Sequence, residues 1–375
     1  MGGAHPYTRT KTGGKVSKET TRWLAENVVA GYTLIRPVWW ARFAEAEGWA
    51  TNLYPAEVPM EKVDELLAGW SPYTAPLYDV DLPAKELVLY DADMREVRAV
   101  RVEDIYPLDT HKQVKADDTG ERISVVGIDH AIHSYRDWLT GTVHECVGDE
   151  AQVSSAGLLR NRAQAWVQIE RPESAAGPDG IRFSPFVTIS TSLDGSLASQ
   201  INQNIKMVVC DNTLEIGRGQ GTASRIKHTK GSSARLGDHR GVMMRIMQGE
   251  SDFREELERE LAVEVSDQAF GRFIEAYVPI GDDDHPAKKT RSERKRQEIT
   301  QLYKADERAA AWKGTEFGVV QAVNTWNQHM SQLKNMTGLE MDDTNLRAMR
   351  NYGAALRGNQ GRDMETVRLL EAVLV

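Results

Sequence analysis

Cysteine is nearly absent from this sequence of 375 residues: Cys146 and Cys210 are the only two. Two thiols make neither a disulfide framework nor a cysteine-based zinc site, and such sparing use suits a reducing, cytosolic compartment. Cys210 sits inside an apolar run and reads as buried and unreactive. Long apolar runs are missing too. No stretch approaches the roughly 18 consecutive apolar residues of a membrane span, so no membrane association is expected. The opening segment, MGGAHPYTRTKTGGKVSK, carries charge with no apolar core behind it and does not read as a secretory leader. Net positive charge is lacking as well. At −9, the chain is not a protein that attracts polyanions over its whole surface.

Familiar catalytic signatures are also missing. No GxSxG elbow and no HExxH helix occurs. The glycine-punctuated stretch GRGQGTASRIKHTKGSS holds Lys230–Gly231–Ser232, with the lysine ahead of the glycine. A phosphate-cradling P-loop needs the order Gly-Lys-Ser/Thr, so nucleotide hydrolysis of that kind is excluded. His130 and His133 form an HxxH pair near His144 and Cys146, but no third ligand stands at a metal-site spacing. These histidines read as surface or capping residues. No catalytic residue, cofactor or resident metal is expected.

What is present is segregated charge. Between Lys206 and Arg245 stand eight basic residues against three acidic ones, inside a chain that is acidic elsewhere. A second run, KKTRSERKR from Lys288 to Arg296, holds six basic residues and one glutamate. The first eighteen residues add Arg9, Lys11, Lys15 and Lys18 with no acid.

Periodicity sorts the rest. Residues 1–18 read as a flexible basic arm. Residues 19–115 form an N-terminal helical and hairpin region, 116–249 a central α+β domain, and 250–375 a helical C-terminal region. The segment from Thr20 to Trp49 reads as mostly helical, broken at Pro37. Met60, Val63, Leu66 and Leu67 fall on one helical face, with Pro59 at the start and Gly69 past the end. From Glu86 the period becomes two, with hairpins expected around Asp91–Asp93 and Asp117–Gly120. IHSYRDWLTGTVHEC reads as a helix, AQAWVQIE and RFSPFVTIS as strands, and a helix is expected from Ser196 through Val209. Phe253, Leu257, Leu261 and Val265 step by four, with a capping box at Asp252 and Glu255. The expected fold class is α+β: a mostly antiparallel central sheet flanked by helices, with a helical C-terminal region.

Several islands, in order, resemble the phage/plasmid-like proteins, a bacterial and phage family built on a domain of unknown function. They are VPMEKVDELLAGWSPYTAPLY, ISVVGIDHAIHSYRDWL, VTISTSLDGSLASQ followed by KMVVCDNTLEIG, the His228–Thr229 step, and WKGTEFGVVQAVNTWNQHM. Asp129–His130 stand where the family pattern has an aromatic residue. The resemblance implies a mobile-element setting in a bacterial host cell and names no reaction.

The cations suggest the partner. Single strands are held by positive grooves that track phosphates beside aromatic faces that stack on bases. Arg218, Arg225, Lys227, His228, Lys230, Ser232 and Arg235 are the expected contacts, with Lys288, Lys289 and Arg291 as a second set. Gly217, Gly219 and Gly221 would let the backbone approach a phosphate, and Trp23, Tyr32, Trp39, Trp40 and Trp49 are candidate stacking residues. The expected function is therefore a single-stranded DNA binding or annealing accessory in replication or recombination, with homo-oligomers allowed. Two alternatives remain at this stage. One is a structural or interaction protein whose basic loop docks on the acidic helix at 250–260. The other is a metal-dependent nuclease using Asp282, Asp283 and Asp284.

Overall fold

The structure, a computed structural model, describes residues 7–9, 15–17, 26–33, 36–37, 52–80, 89–90, 96–98, 105–146, 151–171, 175–178, 181–207, 213–215, 222–235, 242–331, 350 and 362–374. Strands β1 (Tyr7–Arg9) and β2 (Lys15–Ser17) form a short antiparallel hairpin within the segment expected as an arm. Next come β3 (Val28–Thr33), β4 (Arg36–Pro37) and β5 (Leu53–Tyr54). The helical expectation for this stretch is corrected at β3. VVAGYT is rich in β-branched and aromatic residues, which fit a pleated, buried surface better than a helix.

Helix α1 (Met60–Ala68) begins after Pro59 and ends at Gly69, as its punctuation predicts, and buries Val63 and Leu67. Strands β6 (Pro72–Val80), β9 (Ile105–Ala116) and β10 (Arg122–Gly127) make a three-stranded antiparallel sheet in the order β10-β9-β6. Its turn at Asp117–Gly120 is the predicted one, with Gly120 at a φ of 68°. Between β6 and β9, β7 (Leu89–Tyr90) pairs with β8 (Glu96–Arg98) as the other expected hairpin. A π-helical turn, Arg136–Thr140, leads into α2 (Gly141–Cys146).

The large sheet follows. It is built from β11 (Gln152–Leu159), β12 (Gln164–Glu170), β14 (Arg182–Ser192) and β15 (Ser199–Met207), with β13 (Ala175–Ala176), β16 (Thr213–Glu215) and β17 (Thr222–Ile226) on its margins. The order is β16-β15-β14-β12-β11-β3-β4; β17 also pairs with β15, β13 with β14, and β5 with β3. Only the β3–β5 pair is parallel among the described strands. Strand β15 replaces the helix expected from Ser196. The spacing Ile201 to Ile205 does not discriminate, because residues four apart share a face in a strand as well as in a helix.

One face of this sheet joins α1, the π-turn and α2 in an apolar core that includes Val63, Leu67, Trp138, Leu139, Val143, Val167, Ile169, Val187 and Ile189. Trp138 is fully buried, and its indole N–H donates to the Ser190 carbonyl at 3.0 Å.

The C-terminal region is helical: α3 (Val242–Ala262), α4 (Asp267–Tyr277), α5 (Pro286–Ala305), α6 (Glu316–Thr325) and α7 (Arg362–Leu374). Phe253 and Leu257 of α3 pack with Phe183 of β14, Ile205 of β15, Phe317 and Val320 of α6 and Val367 of α7, which fastens the helices to the sheet. Two expectations are corrected here. Asp252 lies ten residues inside α3 and so does not stand at a helix start, and the helix carrying the four-step apolar stripe ends at Ala262, before Val265. The Ser266 hydroxyl starts α4 afresh by accepting the Ala269 N–H at 3.1 Å.

Candidate nucleic-acid interface

The basic segment is partly a strand. β17 adds to β15 with Gln200 opposite Arg225 and Ser199 opposite Ile226. Beyond Ile226 the backbone turns on itself: the Thr229 N–H donates to the Lys227 carbonyl and the Ser232 N–H to that of Thr229, both at 2.9 Å. Gly231 has a φ of 77°, a conformation natural to glycine. A 3-10 turn, Ser232–Arg235, follows.

Three histidines anchor this segment. The His228 ring lies between those of His130, with centroids 4.7 Å apart, and His133, 4.2 Å apart. His228 Nδ1 donates to the Ala131 carbonyl at 3.0 Å, and the Ala131 N–H donates to the His228 carbonyl at 3.3 Å. His133 is fully buried. Its Nδ1 is 2.7 Å from the Ser199 hydroxyl and its Nε2 2.7 Å from that of Ser232. Ser199 in turn bonds the Thr191 hydroxyl at 2.7 Å. An imidazole with one donor and one acceptor nitrogen matches two hydroxyls that can each do either. The surface reading of the HxxH pair is thus corrected: His133 is a core residue tying β15 to the basic segment.

Burial and the neighbouring imidazole of His228 push the pKa of His130 down to about 4; Lys112 adds to this and Asp194 opposes it. His228 is lowered as well, chiefly by burial, against the pull of its bonds to Ala131 and Leu197 and of Asp194. The native state therefore binds fewer protons than the unfolded chain at intermediate pH. Stability is fully present above 6.5 and is lost as pH falls from there through about 4. For half-buried His130, after discounting for solvent screening, that loss is on the order of 1–2 kcal/mol. Urea unfolding of wild type and His130→Gln at about pH 7 and about pH 4.5 checks this. A smaller acid loss in the variant is expected, and equal losses would remove His130 as a source.

Around this anchor, Arg225, Lys227 and Lys230 are exposed, and none of the three makes an ion pair with a carboxylate among the described residues. His228 is partly buried and the Ser232 side chain is buried against His133, so these two hold the segment from inside. Arg235 closes the 3-10 turn; its side chain lies outside the described residues. Arg218, the three clustered glycines, Cys210 and the tryptophans at 23, 39, 40 and 49 also lie outside them, as does the side chain of Tyr32.

Two carboxylates of α3 have arginine partners among the described residues. Glu250 pairs with Arg171 at 2.6 Å and Arg254 at 3.2 Å, and Glu256 with Arg259 at 3.4 Å. The second basic run differs from the first. Lys288 pairs with Asp284 at 2.6 Å, Lys289 donates to the Asp282 carbonyl at 2.7 Å, and Arg294 pairs with Glu298 at 2.7 Å. Arg296 donates to the Val278 carbonyl, and the Lys295 ammonium lies over the Tyr277 and Trp326 rings. Arg291 is exposed. Most of this run therefore secures α5 and the loop before it. Asp284 is held below the ordinary carboxylate range by its bonds to Lys288 and the Gly281 N–H. Among the described residues, no three His, Cys, Asp or Glu side chains are grouped so as to hold a metal ion.

A family model for a domain of unknown function (DUF932) matches residues 122–362, from β10 into the start of α7. That span takes in all three histidines, the basic segment and nearly all of the C-terminal helices. No curated protein and no solved structure matches the chain.

Proposed function

We propose that this chain, which belongs to the DUF932 family, is a non-catalytic nucleic-acid-binding protein that engages single-stranded DNA. The setting is the cytoplasm of a bacterial host, where the protein acts as an accessory in phage or plasmid replication or recombination. The resemblance of its sequence islands to the phage/plasmid-like proteins supports that setting. No helix among the described residues is long and apolar enough to cross a membrane.

One observation carries the reading. Arg225, Lys227 and Lys230 stand exposed without carboxylate partners among the described residues, on a segment whose backbone is pinned by the buried His133–Ser232 and stacked His228 contacts. Cations held in place lose less freedom on meeting phosphates than cations on a free loop. Guanidinium and ammonium groups on phosphates position a strand without reading its sequence. The cations of the second run, mostly answered within the protein, contribute less.

Fluorescence-anisotropy titrations with single-stranded oligonucleotides at several salt concentrations test the proposal. Five phosphate contacts, from Arg218, Arg225, Lys227, Lys230 and Arg235, give a log–log salt slope of about −3.5. Arg225→Glu with Lys227→Glu is expected to flatten the slope by about 1.4, at about 0.7 per lost contact. An unchanged slope removes the segment from the interface, and an absence of binding removes the function.

A further inference from the structure

Among the described residues, six large apolar or aromatic side chains stand exposed: Tyr73, Tyr78, Tyr106, Val125, Ile128 and Met330. Five of the six belong to the β6–β9–β10 sheet or follow its edge strand directly. Exposed apolar side chains scattered singly need no explanation, but such a concentration on one small sheet marks a binding surface.

The register shows what accompanies them. Val114 and Ala116 of β9 and Val126 of β10 are buried in the core, so alternation directs their neighbours outward. On that outer face Tyr73, Lys115 and Arg122 form one row across the three strands. Ala75, Gln113 and Val125 form the next row. The Lys115 ammonium lies 6.0 Å from the centre of the Tyr73 ring, and neither Lys115 nor Arg122 is ion-paired with a carboxylate among the described residues. Further along, beyond the register irregularity between Pro76 and Tyr78, Tyr106 stands opposite Asp79, which counted along β6 shares the side of Tyr73, whereas Tyr78, opposite Pro107, points to the other face.

We infer that this outer face is a stacking platform for the unpaired bases of single-stranded DNA. The inference rests on the nucleic-acid reading and extends it to a second surface and to the form of the substrate. Charge complementarity selects the occupant: aromatic faces beside unanswered cations are what a base with its phosphate requires, whereas paired bases offer no free face to a tyrosine. The platform is also continuous with the basic segment. Gly127, the last residue of β10, accepts the His130 N–H at 3.0 Å, and His130 stacks on His228, whose chain neighbour is Lys227. A strand whose bases rest on Tyr73 thus has phosphate contacts at Lys115 and Arg122, then at Lys227 and Lys230.

The test compares Tyr73→Ala, Tyr106→Ala and Tyr73→Phe by anisotropy on single-stranded and duplex oligonucleotides, with far-UV circular dichroism and thermal melts confirming that each variant folds. Losing one stacked base is expected to weaken single-strand binding about tenfold. The salt slope should stay the same, because no cation is removed, and duplex binding should be unaffected. Tyr73→Phe keeps the ring and should bind like wild type. Wild-type single-strand affinity in both alanine variants overturns the platform and leaves the basic segment standing. Equal losses on single strand and duplex also overturn it. A change in sedimentation with unchanged DNA affinity assigns the face to a protein partner instead. If wild type binds no oligonucleotide, both readings fall together.

Discussion

His133→Ala is expected to lower the unfolding free energy by about 3 kcal/mol and to loosen the basic segment as a unit. The side chain removed is fully buried and bridges two hydroxyls later in the chain, that of Ser199 on β15, 66 residues on, and that of Ser232, 99 residues on. Ser199 retains Thr191 as a partner after the substitution. Ser232 has no second partner for its hydroxyl among the described residues, and an orphaned buried hydroxyl costs about 1–3 kcal/mol. The ring that stacks beneath His228 is lost as well. Two measurements check the prediction. Urea unfolding reads the global loss, and hydrogen exchange reads the amides of Thr229 and Ser232, whose bonds close the local turns. Both amides should exchange faster in the variant at a salt concentration where no DNA is present. Stability within about 0.5 kcal/mol of wild type, in the range of an ordinary surface change, would show that the bridge is not an anchor.

Gly157→Ala, a change of one methyl group, is expected to destabilise the large sheet by about 2–3 kcal/mol. Gly157 of β11 stands directly opposite Trp166 of β12, and the indole lies across the position where a side chain would be. A β-carbon at Gly157 would sit 2.3 Å from Trp166 Cη2 and 2.6 Å from Cζ2. The Trp166 ring is itself buried and cannot swing away without disturbing its neighbours. The remedy is as specific as the fault. Trp166→Phe removes the atoms that clash, so the double variant Gly157→Ala/Trp166→Phe should be more stable than the sum of the two single effects implies. A double-mutant cycle in urea measures that coupling. Strict additivity would place the cost of the methyl group elsewhere.

Helix α1 and the hairpin at Asp117–Gly120 were legible from local signals alone, because proline, glycine and a period act over one or two turns of chain. Strand β15 was not. Its apolar residues Ile201 and Ile205 satisfy both periods, and its polar residues Gln200 and Asn202, which would argue for exposure, are buried in the sheet. The break between α3 and α4 was hidden for a related reason: the four-step stripe continues through Val265 although the helix does not, and only the cap at Ser266 marks the new start.

The candidate site divides in the same way. That the chain segregates its charge, and where the two basic runs fall, was determined by the order of residues, since a count along the chain needs no coordinates. Which cations are answered was decided by tertiary structure: Lys288 and Arg294 find carboxylates within one helical turn, while Arg225, Lys227 and Lys230 face none among the described residues. The histidine stack belongs wholly to the second kind. His130 and His133 meet His228 because the segments that follow β10 and β17 are bonded to each other at Ala131 and His228, and contacts between residues so far apart in sequence are set by tertiary packing.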